Sequence, residues 1–137
     1  MDHERFTAVV VEAGTAEARP VNRARGARMA VLVGPQQGAP GFFTRRFELD
    51  PGGRIPAHSH DTIEHEQVVL RGEMVLGLGA RQVTARAGDA VFIPAGTPHW
   101  YENRGEDVVE FICVVPATDG YATTWHEEPP EGAHLEP

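Results

Sequence analysis

Four of the seven histidines in the chain carry its most distinctive chemistry. His58 and His60 stand two apart, His65 opens the apolar run Gln67-Val68-Val69-Leu70, and His99 follows the turn-rich Pro94-Ala95-Gly96-Thr97-Pro98. Residues two apart on a strand project to the same face, so His58 and His60 would present their imidazoles side by side. A neutral imidazole is the commonest protein ligand for a transition metal, and the chemistry such a group suggests is metal coordination. A lone pair of histidines is weak evidence; four in this arrangement is stronger. His3, His126 and His134 stand outside it and read as ordinary surface or core residues.

The elements that must position these rings are strands. Between Phe42 and Pro116 short apolar or alternating runs recur every eight to twelve residues or so, with breaks such as Asp50-Pro51-Gly52-Gly53, Ala87-Gly88-Asp89 and Asn103-Arg104-Gly105. No stretch there holds a 3.6-residue apolar period, which predicts an all-β barrel or sandwich. A length of 137 residues suits one domain. We divide it into peripheral N-terminal strands over residues 1–41, a barrel over 42–116, and an acidic, proline-rich tail over 117–137 pinned by Tyr121 and Trp125.

Composition narrows the function. A formal net charge of -8 gives no basic face for phosphates, so no nucleic-acid partner is expected. Lysine is absent, which excludes lysine Schiff-base chemistry and leaves Arg, His or a metal for cationic contacts. Cys113 is the only cysteine and forms no intramolecular disulfide. No apolar run approaches the roughly 20 residues that cross a bilayer, and Met1 to Val11 does not read as a signal peptide. A cytoplasmic protein without a membrane partner is the expectation.

Two motifs carry a family resemblance. The first reads Gly52-x5-His58-Ser59-His60-x4-His65-x6-Gly72, and the second Gly88-x5-Pro94-Ala95-Gly96-x2-His99-x3-Asn103. Both resemble the paired motifs of the cupins, whose fold is a double-stranded β-helix of the jelly-roll type. That resemblance implies one divalent transition metal per chain, held by His58, His60, His65 and His99. The place usually filled by a glutamate is taken by His65. Glu64 is the rival, but a one-residue slip turns a strand side chain to the opposite face, so only one of the two can point at the metal. Counting back from Gly72 favours His65.

The chain is similar in detail to small four-histidine cupins, including manganese-binding ones, which implies an octahedral ion with two adjacent open positions. Mn or Fe is the expected working metal, with Ni, Cu or Zn as further possibilities. Four neutral ligands leave the full +2 charge on the site, which favours an anionic, chelating small molecule. Because an imidazole must be deprotonated to bind, metal affinity is expected to fall as pH drops through roughly 6.

Strand parity then supplies the pocket. If His65 points inward, so do Gln67 and Val69, and Tyr101 follows His99. Phe111 and Cys113 share one face of their strand, and Arg45 has the parity of two inward aromatics. No catalytic residue is designated. The expected activity is a metal-dependent dioxygenase acting on an enolisable diketone, a hydroxyketone or a phenol. A Lewis-acid isomerase or lyase is the alternative, and a non-catalytic metal and small-molecule binding protein is a third reading. A homodimer is also expected, because the strand-like Met29–Val33 has no evident partner inside a compact barrel.

Overall fold

The computed structural model describes residues 7–137. Its secondary structure there is β1 (Arg19–Pro20), β2 (Arg25–Val33), a short 3-10 turn (Pro35–Gln37), β3 (Phe42–Ser59), β4 (His65–Arg71), β5 (Glu73–Leu78), β6 (Arg81–Arg86), β7 (Ala90–Ile93), β8 (His99–Glu102), β9 (Val109–Pro116) and β10 (Thr124–Trp125). Every pairing is antiparallel, and the strands run β6-β5-β8-β3-β9-β4-β7 in a nearly closed barrel. The all-β expectation is met.

The long strand β3 belongs to both halves of the barrel. Its first part, Phe42 to Leu49, pairs with β9 on one side and β2 on the other, and its last part, Arg54 to Ser59, pairs with β8 and then β10. The chain crosses between them at Asp50-Pro51-Gly52-Gly53, which the sequence predicts to be a break. It is a bend inside one strand. Gly52 takes φ 80°, a value open to glycine at little cost, and its N–H donates to the Asn103 carbonyl at 2.9 Å. Asn103 returns its own N–H to Gly53 at 2.9 Å, while its buried side chain donates to the carbonyls of Leu49 and Asp107. It therefore holds two crossings together.

Met29–Val33 has a partner after all. It lies in β2, paired to β3 through Met29 with Phe47 and Val31 with Arg45, so the ground on which a dimer was expected from this segment does not hold. Residues 117–137 also run along the barrel. Trp125 pairs with His58, the His126 N–H donates to Ala57, and the His134 N–H donates to Ala24.

Alternation decides what each strand buries. On β4, His65, Gln67 and Val69 are buried while Glu66, Val68 and Leu70 are exposed; Glu64, just before the strand, is exposed too. The core collects Leu49, Val69, Met74, Leu76, Ile93, Val109 and Phe111, each at most 1% exposed. This inward parity also delivers polar groups, His58, His65, Gln67 and His99, which apolar burial alone would exclude. Among the described residues no helix is long and apolar enough to cross a membrane.

Candidate metal centre

His58 on β3 stands opposite His99 on β8, and their ring centroids are 4.3 Å apart. His60 follows the end of β3, 5.3 Å from the His58 ring, and His65 begins β4, 4.9 Å from His99 and 5.3 Å from His60. Nitrogens of His58, His60 and His99 lie within 4.8 Å of one another. That grouping does not include His65, whose ring stands beside it.

The outward nitrogens fix the inward ones. His58 Nδ1 donates to the Pro56 carbonyl and His99 Nδ1 to the Thr97 carbonyl, both at 2.8 Å. A carbonyl only accepts, so each Nδ1 carries the proton and each Nε2 keeps its lone pair. His60 Nδ1 is placed in the same way, by Ala122 and Thr123. His99 Nε2 and His65 Nδ1 are buried with no hydrogen-bond partner among the described residues. A buried ring nitrogen left unpaired is costly, and a cation among the grouped rings would satisfy His99 Nε2. The all-imidazole donor set and these orphaned nitrogens fit a divalent transition metal.

Burial holds the rings neutral. Desolvation, followed by the positive potential of neighbouring imidazoles and Arg45, lowers His58 and His65 to about 3 and His99 to about 4, from an ordinary 6.5. The half-buried His60 is lowered too, again chiefly by burial. The protein therefore presents neutral, deprotonated ligands without needing a base to strip their protons.

Beside the rings runs a polar row set by cross-strand register. Arg45 on β3 faces Cys113 on β9, which faces Gln67 on β4. Arg45 Nη2 donates to Cys113 Sγ at 3.2 Å, and Gln67 Nε2 donates to the same sulfur at 3.4 Å and to the Tyr101 hydroxyl oxygen at 2.6 Å. Burial first, and then Cys113, pushes the Tyr101 hydroxyl well above the usual phenol range, so it stays a proton donor. Arg45 Nε and Gln67 Oε1 are buried without partners among the described residues, which leaves one donor and one acceptor in the row unused.

These groups line a cavity of about 870 Å³. Arg45, Gln67, Tyr101 and Cys113 are on its wall with the four histidines. Phe111 is not; it is fully buried, stacked on Phe47 at 5.0 Å and on Tyr101 at 5.1 Å, and those two rings face the cavity in its stead. Sequence reasoning missed Met29 and Val31 from β2, and Tyr121, Thr123 and Trp125 from the C-terminal segment. The last three alternate, which is a strand signal, but it sits among acidic residues and prolines that obscured it.

The cupin domain family matches residues 45–115, just over half of the chain and the span that holds all four histidines. The chain is a cupin. Among proteins similar to this cupin, the tetracenomycin polyketide synthase protein TcmJ of Streptomyces glaucescens is 26% identical over 102 residues, 74% of this chain and 68% of that protein. The oxalate-binding protein of Thermotoga maritima is 33% identical over 70 residues, 51% of this chain and 58% of its own length. In structure, the cupin is similar to the polyketide cyclase RemF of Streptomyces resistomycificus, with a TM-score of 0.79, 29% identity and 90% of each chain covered. A predicted oxalate decarboxylase from Thermotoga maritima gives a TM-score of 0.71 at 25% identity, over 80% of this chain and all of that one.

Proposed function

We propose that this cupin is a metal-dependent cyclase of enolisable polycarbonyl compounds, the chemistry by which polyketide chains close into rings. The observation that carries the reading is the cavity. At about 870 Å³ it lies near the top of the roughly 300–1,000 Å³ range of small-molecule sites, too large to be filled by a two-carbon diacid. Similarity to RemF over nine-tenths of both chains supports the same reading.

One divalent transition metal, held by His58, His60 and His99 with His65 as fourth ligand, would supply Lewis-acid polarisation of substrate carbonyls; Mn or Fe is our expectation for the ion, with Ni, Cu or Zn as substitutes. The rest falls to the chain. Arg45 offers its unused Nε–H to a developing enolate oxygen, and Gln67 Oε1 accepts from an enol hydroxyl. A methylene between two carbonyls is already acidic, so cationic surroundings favour its ionisation, and its proton passes to solvent water at the cavity mouth without a strong base in the wall. The carbanion carbon attacks a second carbonyl of the same molecule, forming the ring bond, and the alkoxide so made takes a proton. Tyr101 is the donor the site provides, since Gln67 Nε2 bonds its oxygen and leaves its proton free, and the proton released to solvent in the first step is the one Tyr101 recovers. Loss of water then unsaturates the ring. Phe47, Tyr121 and Trp125 supply aromatic faces for a flat product.

The test is turnover of a poly-β-ketone analogue by metal-loaded protein under strict anaerobiosis. Cyclisation should continue, and Arg45→Met should slow it by about 10²-fold, the scale of removing one electrostatic stabiliser. A reaction that stops without dioxygen would return the activity to the dioxygenase class. Binding of small diacids with no turnover would make the protein a metal-dependent binding module.

The homodimer we infer rests on other residues than Met29–Val33. Val68, Leu70 and Phe92 share the outer face of paired β4 and β7 and are 42%, 51% and 57% exposed. Three exposed apolar side chains on one sheet face are the ground for this inference. The solution mass at micromolar concentration should be twice that of one chain; a single-chain mass would reject it. The lone, buried Cys113 keeps a cytoplasmic location as our reading.

A further inference from the structure

Two of the three grouped histidines find their outward acceptors close by. Pro56 and Thr97 lie two residues before His58 and His99 on the same chain. His60 has no such neighbour. Its Nδ1 meets the C-terminal segment, with the Ala122 carbonyl at 3.3 Å and the Thr123 hydroxyl oxygen at 3.2 Å. The Thr123 hydroxyl donates in turn to the Tyr121 carbonyl at 3.3 Å, which spends its proton and turns a lone pair toward the ring.

From these contacts we infer that residues 121–127 form a strap that completes the metal centre, with Thr123 as the positioning residue that holds the His60 Nε2 toward His58 and His99. The strap is built to stay docked. Thr124 and Trp125 pair with Ser59 and His58, and the Trp125 indole lies 5.2 Å from the His58 ring. The Ser59 hydroxyl bonds His126 Nε2 at 2.8 Å, and Arg54 holds the Glu127 carboxylate at 2.9 and 3.0 Å. The indole also carries the Arg23 guanidinium at 4.8 Å. The segment therefore grips three consecutive residues, His58, Ser59 and His60.

Two consequences follow. An outer hydrogen bond that fixes a ligating imidazole contributes about 10- to 100-fold in metal affinity. Coupling is reciprocal, so a metal bound at His60 must strengthen strap docking by the same factor that docking strengthens the metal. The strap also forms the cavity wall through Tyr121, Thr123 and Trp125, so loading the metal and closing the cavity become one event.

The inference rests on the metal-centre reading, and Zn(II) titration of the full chain separates the two. Thr123→Val keeps the shape and removes the nearer of the two acceptors, leaving the Ala122 carbonyl alone at 3.3 Å; it should weaken Zn(II) by about 10-fold, while Thr123→Ser restores wild-type affinity. The Co(II) absorption spectrum should change in Thr123→Val and be normal in Thr123→Ser, a signature that loss of packing alone would not produce. In the wild-type chain, hydrogen exchange at the His126 amide should slow by a similar factor when Zn(II) is added. Thr123→Val binding Zn(II) as tightly as wild type overturns the strap alone, as does His126 exchange indifferent to the metal. A wild-type chain that takes up no Zn(II) overturns the metal centre as well.

Discussion

Replacing His99 with alanine is expected to weaken metal binding by more than about 100-fold, beyond the loss typical of removing an outer-shell partner. His99 is the hub of the cluster, with its ring 4.3 Å from His58, 4.9 Å from His65 and 6.1 Å from His60. Its Nε2 is one of two buried ring nitrogens with no partner among the described residues, and its Nδ1 is already engaged by Thr97, so Nε2 is the nitrogen it offers to a metal. His134→Ala serves as the control, since that ring lies half exposed beside Glu136. Elemental analysis and chelator competition should find one metal per wild-type chain and per His134→Ala chain, and almost none in His99→Ala. Full occupancy in His99→Ala would remove the histidine cluster as the metal centre. Within the same series, His65→Glu should retain metal and Glu64→Gln should leave it unchanged. His65 is buried next to the cluster, while Glu64 is exposed. Metal binding unaffected by His65→Ala would reduce the ligand set to the three grouped rings.

Period-two patterning made most of this arrangement legible from residues alone. His65, Gln67 and Val69 alternate with Glu66, Val68 and Leu70, and burial follows that alternation along β4. Arg45 and Cys113 could be placed inward by the same rule, but their contact could not, because parity says nothing about which strands become neighbours. That depends on cross-strand register, which sets Arg45, Cys113 and Gln67 in one row. Asp50-Pro51-Gly52-Gly53 has the composition of a turn, and only the reciprocal bonds to Asn103, some fifty residues on, make it a bend within a strand. Phe111 has inward parity and is nonetheless screened from the cavity, since Phe47 and Tyr101 stack over it. The C-terminal segment was the hardest to read. Its Tyr121-Thr123-Trp125 alternation is short, and its anchors, Arg23, Arg54 and Ser59, lie far away in the chain.

Metal-free protein should lose stability steeply as pH falls from 6.5 toward 4, well before its buried imidazoles titrate in the folded state. His58 and His65 are lowered to about 3 and His99 to about 4, all chiefly by burial, whereas in the unfolded chain they take up protons near 6.5. Above 6.5 both states hold these rings neutral, and they contribute no pH dependence. Below it the unfolded chain binds protons that the folded chain refuses, so stability declines as pH falls, by up to about 1.4 kcal/mol per pH unit for each ring. Three such rings remove several kcal/mol by about pH 5, against a net stability of about 5–15 kcal/mol for a whole domain. Acid unfolding is thus expected at or just below that pH. Metal affinity of the folded chain, by contrast, should hold through pH 6, below which unperturbed imidazoles would lose it, because burial has already deprotonated the ligands. A saturating divalent ion binds the native state alone and should move the acid midpoint lower. Near-ultraviolet circular dichroism between pH 8 and 3, with and without chelator, measures both effects. A metal-free melting temperature unchanged from pH 8 to 5 would mean that the imidazoles remain open to water in the native protein, and the buried centre described above would not stand.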